Sequence, residues 1–281
     1  TNPTNVTFGT GQLQMLGSAP QLSVFRLANA GFSQAYLQNA LSGDSQTVLG
    51  MEATFTAAFA LDLATIGNGR SFLAAQSGAR SYVATSLGVG ADGIYRLGGL
   101  GQALTLTTGV LVGAGNKLQV GSQATNVAGT VILGAQNTYS GGTIVSRSNV
   151  LQFTVAANAT GHALGSGQVD VFGTLLQTSN GTFFANGSTT THQNTIVLHP
   201  GSTLRMDLGT SGGNRWGDSI PINLDGAMLQ VTTGAANMNE TVGAVTFHRH
   251  GQVFLNGNAG GQAQVTVNGT LARGSSGATL L

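Results

Sequence analysis

The chain has 281 residues, of which 44 are glycine, 4 proline and none cysteine; its 10 Lys+Arg and 9 Asp+Glu leave a net charge of +1, and 41% of its residues are hydrophobic. Without cysteine there is no disulfide staple and no thiolate metal site, and a chain this neutral carries no electrostatic footprint for nucleic acid or anionic lipid. Collagen is excluded because the glycines keep no three-residue period, intrinsic disorder because hydrophobic content is high and net charge low, and a membrane-spanning helix because no apolar run approaches about 20 residues.

The chain opens Thr1-Asn2-Pro3-Thr4, in turn-type sequence and without a basic, then apolar, leader, and it closes Ala278-Thr279-Leu280-Leu281, in what reads as mid-strand. Both ends have the character of a piece cut from something longer, or of a processed chain. Residues 15–60 are the least regular part, and Phe25, Phe32, Tyr36, Phe55 and Phe59 suggest a locally thicker core there. Gly31 to Leu41 is the best helix candidate, with Phe32, Ala35, Tyr36 and Ala40 at helical spacing; an insertion or irregular turn is the other reading. Elsewhere glycine interrupts helical windows, and the most apolar stretch, Ala53 to Ala64, is short and contains Asp62.

From about residue 100 onward one theme repeats. Apolar residues alternate with polar ones at Val169 and Val171 and then Leu175 within Gly167 to Leu175, at Leu204, Met206 and Leu208, at Val245 and Phe247, at Val253 and Leu255, and at Val265 and Val267. Period-two alternation predicts strands with one face in a core and one in water. Between them stand Asn68-Gly69, Asp92-Gly93, Asn180-Gly181, Asn186-Gly187, Asp225-Gly226, Asn256-Gly257 and Asn268-Gly269, residue pairs that tolerate positive φ. They suit hairpins or the corners of a solenoid. The scarcity of charge favours the solenoid, whose stacked rungs let Thr, Asn, Ser and Gln satisfy one another.

Three stretches carry a resemblance. Val131-Ile132-Leu133-Gly134-Ala135-Gln136-Asn137-Thr138-Tyr139-Ser140-Gly141-Gly142-Thr143-Ile144-Val145 resembles the autotransporter-associated β-strand repeat, and Ala163-Leu164-Gly165-Ser166-Gly167, running into Val169 to Leu175, looks like the strand that follows it in such proteins. Asp92-Gly93-Ile94-Tyr95-Arg96-Leu97-Gly98-Gly99 with Leu104-Thr105-Leu106 is a weaker match, and Glu240 to Phe247 resembles later segments of similar long surface proteins. Together they span roughly residues 90–281; residues 1–90 carry no motif of their own. The resemblance implies an all-β chain: a single continuous right-handed parallel β-helix over 1–281, less regular in 1–90 and motif-bearing in 91–281, as in the passenger regions of bacterial surface proteins. At roughly 20–25 residues per rung and about 4.8 Å between stacked strands, the chain makes about a dozen rungs and a rod on the order of 60 Å long. In the motif, Gly141-Gly142 allow a tight corner, Tyr139 is expected to cap the core edge with its ring in and hydroxyl out, and Thr143-Ile144-Val145 start the next strand. The membrane barrel of such proteins has no counterpart here.

Chemistry is sparse. The histidines are His162, His192, His199, His248 and His250; His248-Arg249-His250 alternates as on a strand, which would turn both rings to one face, but a metal needs a third ligand from another rung. The acids are Asp44, Glu52, Asp62, Asp92, Asp170, Asp207, Asp218, Asp225 and Glu240. They are densest near Arg205, Asp207, Arg215, Trp216, Asp218 and Asp225, where Arg205 and Asp207 read most simply as a salt bridge, and Trp216 as either a sugar-stacking ring or an aromatic covering a rung. There is no nucleophile elbow and no phosphate loop, and the six Asn-x-Ser/Thr sequons, at Asn5, Asn158, Asn180, Asn186, Asn239 and Asn268, are close to what this composition gives by chance.

No catalytic, metal or cofactor residue is assigned. The expected role is a non-enzymatic, extracellular structural or adhesive segment of a bacterial surface protein or filament. Its expected partners are adjacent rungs of a parent chain or neighbouring copies of itself, with glycans or other cell surfaces beyond them, and neither nucleic acid nor a membrane span. The alternative is a carbohydrate-binding or polysaccharide-degrading β-helix, for which Asp207, Asp218 and Asp225 would have to converge on one face.

Overall fold

The computed structural model describes residues 23–27, 32–54, 60–122, 128–154, 163–178, 195–207, 216, 218, 220–234, 237–257, 260–274, 277 and 279–280. Among these, eleven strands from Ser23–Leu27 to Leu271–Arg273 form a long sheet, and nine from Arg80–Tyr82 to Thr279–Leu280 form a second. Two short sheets pair Leu61–Asp62 with Leu87–Gly88 and Met238–Val242 with Ala263–Val267. In both main sheets, neighbouring strands are parallel and lie one rung apart: from 23 positions (Ile94 with Lys117) to 27 (Val169 with Ile196) in the long sheet, and from 20 (Gly129 with Asn149) to 29 (Thr174 with Thr203) in the second. This is the expected parallel β-solenoid, with slightly fewer rungs than the dozen anticipated.

Alternation builds the core. In Gly129–Leu133, Val131 and Leu133 point inward, over Leu104 and Leu106 of the preceding rung and under Leu151 and Phe153 of the next. None of the six is more than 1% exposed. Each such side chain contributes about 1.5–3 kcal/mol through removal from water, and the column continues through the long apolar core from Leu27 to Phe247.

Several expected elements are placed differently. Gly167 to Leu175 is not one strand: Val169–Val171 belongs to the long sheet and Thr174–Gln177 to the second. The chain bends at Phe172-Gly173, where a Cβ on Gly173 would lie 2.3 Å from the Asn149 carbonyl oxygen. The Ala163 to Gly167 stretch is a corner rather than a strand. Gly69, Gly93, Gly226 and Gly269 have positive φ at corners between parallel strands, so these pairs are not hairpins, and Asn256-Gly257 lies inside the strand His250–Gly257. A helix does form at Gln34–Ala40, capped by the Ser33 side chain accepting from the Tyr36 N–H. Asn180-Gly181, Asn186-Gly187, Phe55, Phe59 and Leu208 lie outside the described residues.

The repeat motif is explained by what it touches. Asn137 is 2% exposed and ties three rungs together: its Oδ1 accepts from the Leu111 N–H at 3.2 Å, and its Nδ2 donates to the Ala163 carbonyl at 2.8 Å. A Cβ on Gly141 would sit 2.2 Å from the Gly115 carbonyl oxygen, so the preceding corner is what requires glycine there. Tyr139 departs from expectation. Ring and hydroxyl are both buried, the hydroxyl 2.6 Å from Thr143 Oγ1, and burial pushes the phenol well above its ordinary pKa. The motif is tight enough for Thr143 to supply the partner that water was expected to provide. Tyr82 and Tyr95 work in the same way at earlier corners. Tyr82 donates to the Ser86 carbonyl and accepts from the Leu61 N–H, its pKa pushed up to about 12 by burial; Tyr95 bonds both backbone groups of Val112.

The Asp92-Gly93 corner is held electrostatically. The Arg96 guanidinium grips the Asp92 carboxylate with two hydrogen bonds, of 2.8 and 2.5 Å, and Arg70 approaches at 3.6 Å. Arg96 holds the Asp92 carboxyl below the usual carboxylate range, against the opposing effect of burial. A lowered folded-state pKa adds stability at pH values above the unfolded pKa of about 3.9 and loses it as the pH falls through the folded value.

Two outcomes are expected. Asn137→Ala leaves a buried N–H and a buried carbonyl without their partner and lowers unfolding stability by about 1–3 kcal/mol, read as a lower denaturant midpoint. Asp92→Asn flattens the loss of stability below about pH 4; thermal melts of the two proteins across that range measure it, and an unchanged acid limb would assign the effect to other carboxylates.

Candidate functional site

Along the outer face of the long sheet, register places residues from successive rungs side by side. Asp170, Val197, Asn223 and Thr246 form one outward row. Two positions further along each rung, Phe172, His199, Asp225 and His248 form a second, Asp225 pairing directly with His248. Between these rows the inward residues Val171, Leu198, Leu224 and Phe247 are buried and fix the phase.

His199 leans toward the rung before it. Its ring stacks on Phe172 with centroids 3.9 Å apart and planes 3° from parallel, and its Nε2 lies 3.0 Å from Asp170 Oδ1. A carboxylate only accepts, so Nε2 carries the proton in this bond. Gln168 holds the same carboxylate through both oxygens. His248 leans the other way, over Gly274, where a Cβ would lie 2.0 Å from its Cε1. Arg249, at φ 64°, turns back to place Nε 3.2 Å from Asp225 Oδ1. The result is a shallow depression of about 460 Å³ lined by Val197, His199, Asn223, Asp225, His248 and Arg249.

This arrangement corrects the sequence reading of His248-Arg249-His250. The three do not share a strand: His248 ends a strand of the long sheet, Arg249 is the corner, and His250 begins a strand of the second sheet. The polar cluster at Arg205 to Asp225 is divided as well. Arg205 and Asp207 form the expected ion pair, at 3.5 Å, on the second sheet, whereas Asp225 is on the long sheet and Asp218 in a turn. Trp216 is 2% exposed and so offers no stacking surface; its backbone N–H donates at 2.5 Å to Glu240, a carboxylate that is wholly buried at an inward position. Of the other acids, Glu52 pairs with Arg26 and Asp62 caps the turn Leu63–Thr65. His162, His192 and Arg215 lie outside the described residues. Among the described residues, no group of three or more His, Asp or Glu is arranged to hold a metal ion.

Sequence reasoning did not connect His199, Asp225 and His248. The signal was their spacing, 26 and 23 residues, which matches the rung period. Comparison with protein-family models, curated proteins and solved structures finds no match for the chain.

Glu240→Ala is expected to destabilise the fold by about 1–3 kcal/mol through loss of its buried hydrogen bond to the Trp216 N–H. It should also shift the emission of the single tryptophan to the red; unchanged emission would show that Trp216 is held without the carboxylate.

Proposed function

We propose that the chain is a non-enzymatic structural or adhesive segment of a bacterial surface protein or filament, a stiff extracellular rod. The observation that carries this reading is the stack of rungs: one apolar core runs through ten of the eleven strands of the long sheet, from Leu27 to Phe247, and buried side chains such as Asn137 tie adjacent rungs together. Bending such a rod would open inter-strand hydrogen bonds and core contacts together. The resemblance of Val131 to Val145 and of Ala163 to Leu175 to the autotransporter-associated repeat supports placing it on the cell surface. Near-zero net charge, with Phe254, Leu255 and Leu271 about half exposed, supports association with further copies or further rungs. A polysaccharide-degrading reading finds less support, since Asp207 and Asp225 stand on different sheets.

Analytical ultracentrifugation of the chain is expected to show concentration-dependent association, weakened by Leu255→Lys and Leu271→Lys. A monomer across a wide concentration range would remove the filament reading. Bacteria displaying the chain are expected to settle or adhere faster than cells without it, and equal rates would remove the adhesive one.

A further inference from the structure

We propose that the depression between His199 and His248 is a saccharide-binding site that takes a neutral, hydroxyl-rich ring. The site is shaped by three departures from simple laddering. Stacking on Phe172 and the bond to Asp170 draw the His199 ring toward the preceding rung, while the absence of a side chain at Gly274 lets the His248 ring lie over the following one. The two walls therefore splay apart across backbones two rungs, or about 10 Å, distant. The positive φ of Arg249 closes the side of the groove and returns its guanidinium to Asp225.

The lining matches vicinal hydroxyls. Asn223 offers both a donor and an acceptor, Asp225 accepts, Arg249 donates in a planar fork, and Val197 gives an apolar contact for ring carbons. The depression lies in the size range of small-molecule sites. Anions fit less well: Arg249, the one guanidinium of the lining, is already paired with the Asp225 carboxylate. The proposal is independent of whether the rod serves attachment.

The test is titration of the full chain, followed through the imidazole NMR signals of His199 and His248, with neutral gluco-oligosaccharides, a uronic-acid oligomer and inorganic phosphate as probes. A neutral oligosaccharide is expected to give saturable shifts at both histidines. Asp225→Asn and Asn223→Ala are expected to weaken its binding at least about tenfold, and Asp207→Asn, on the other sheet, to leave it unchanged. Gly274→Ala removes no lining residue but displaces the His248 ring into the groove, so it too is expected to weaken binding about tenfold with circular dichroism unchanged. Should that variant fail to fold, His248→Ala removes the same wall without strain and carries the same expectation. The proposal is overturned if no neutral saccharide saturates, if phosphate or the uronic-acid oligomer alone shifts these signals, or if Asp225→Asn binds as tightly as the parent chain.

Discussion

The structure depends on one constraint: each strand must lie in parallel register on the strand about 25 residues earlier. Backbone hydrogen bonds impose it, and side-chain alternation makes a slip costly. A shift of one residue along Gly129–Leu133 would exchange the buried Val131 and Leu133 for the outward Thr130 and Ile132, and would do so against neighbours above and below at once. Register at any one rung is therefore held by both adjoining rungs.

Corners are where that constraint is hardest to meet, because rung length varies and the backbone there leaves the ladder. Two chemical solutions recur. One is removal of atoms, as at Gly141 and Gly173, where a neighbouring carbonyl occupies the space a Cβ would need. The other is a buried polar side chain that stands in for the ladder, as with Asn137 between Leu111 and Ala163, and Tyr82 and Tyr95 on nearby loop backbone. The second is specific because an unpaired buried amide or hydroxyl is costly. Neither solution needs charge, in keeping with a chain in which glycine far outnumbers ionisable residues.

The strands were legible in the sequence because their signal is local: Val169 and Val171, Leu204 and Met206, Val245 and Phe247 all alternate within a few residues of one another. Corners were harder. Gly167 to Leu175 keeps an apolar phase through Phe172-Gly173, so the bend that sends its two halves to different sheets leaves no mark on the alternation. His248 and His250 misled for the same reason. Local phase says that i and i+2 share a face, but that holds only while the chain stays in one strand, and Arg249 at positive φ ends it. The Tyr139 hydroxyl was misplaced because its partner, Thr143, was read only as the start of the next strand.

The groove was illegible for a deeper reason. A solenoid assembles much of its surface from residues one rung apart, and a motif search confined to short windows cannot find neighbours of that kind. Outward rows are mixed: Thr105, Ile132, Gln152, Leu176, Arg205 and Gln230 follow one another on the second sheet. In the row Phe172, His199, Asp225 and His248, Asp170 meets one imidazole, Gly274 leaves room for the other, and Arg249 meets the carboxylate. The Phe172–His199 stack and the Asp170–His199 bond join adjacent rungs and so share in holding the ladder together. The splay of His199 from His248 and the return of Arg249 to Asp225 open the depression beside Asn223, and that is the part of the row on which the proposed saccharide site rests.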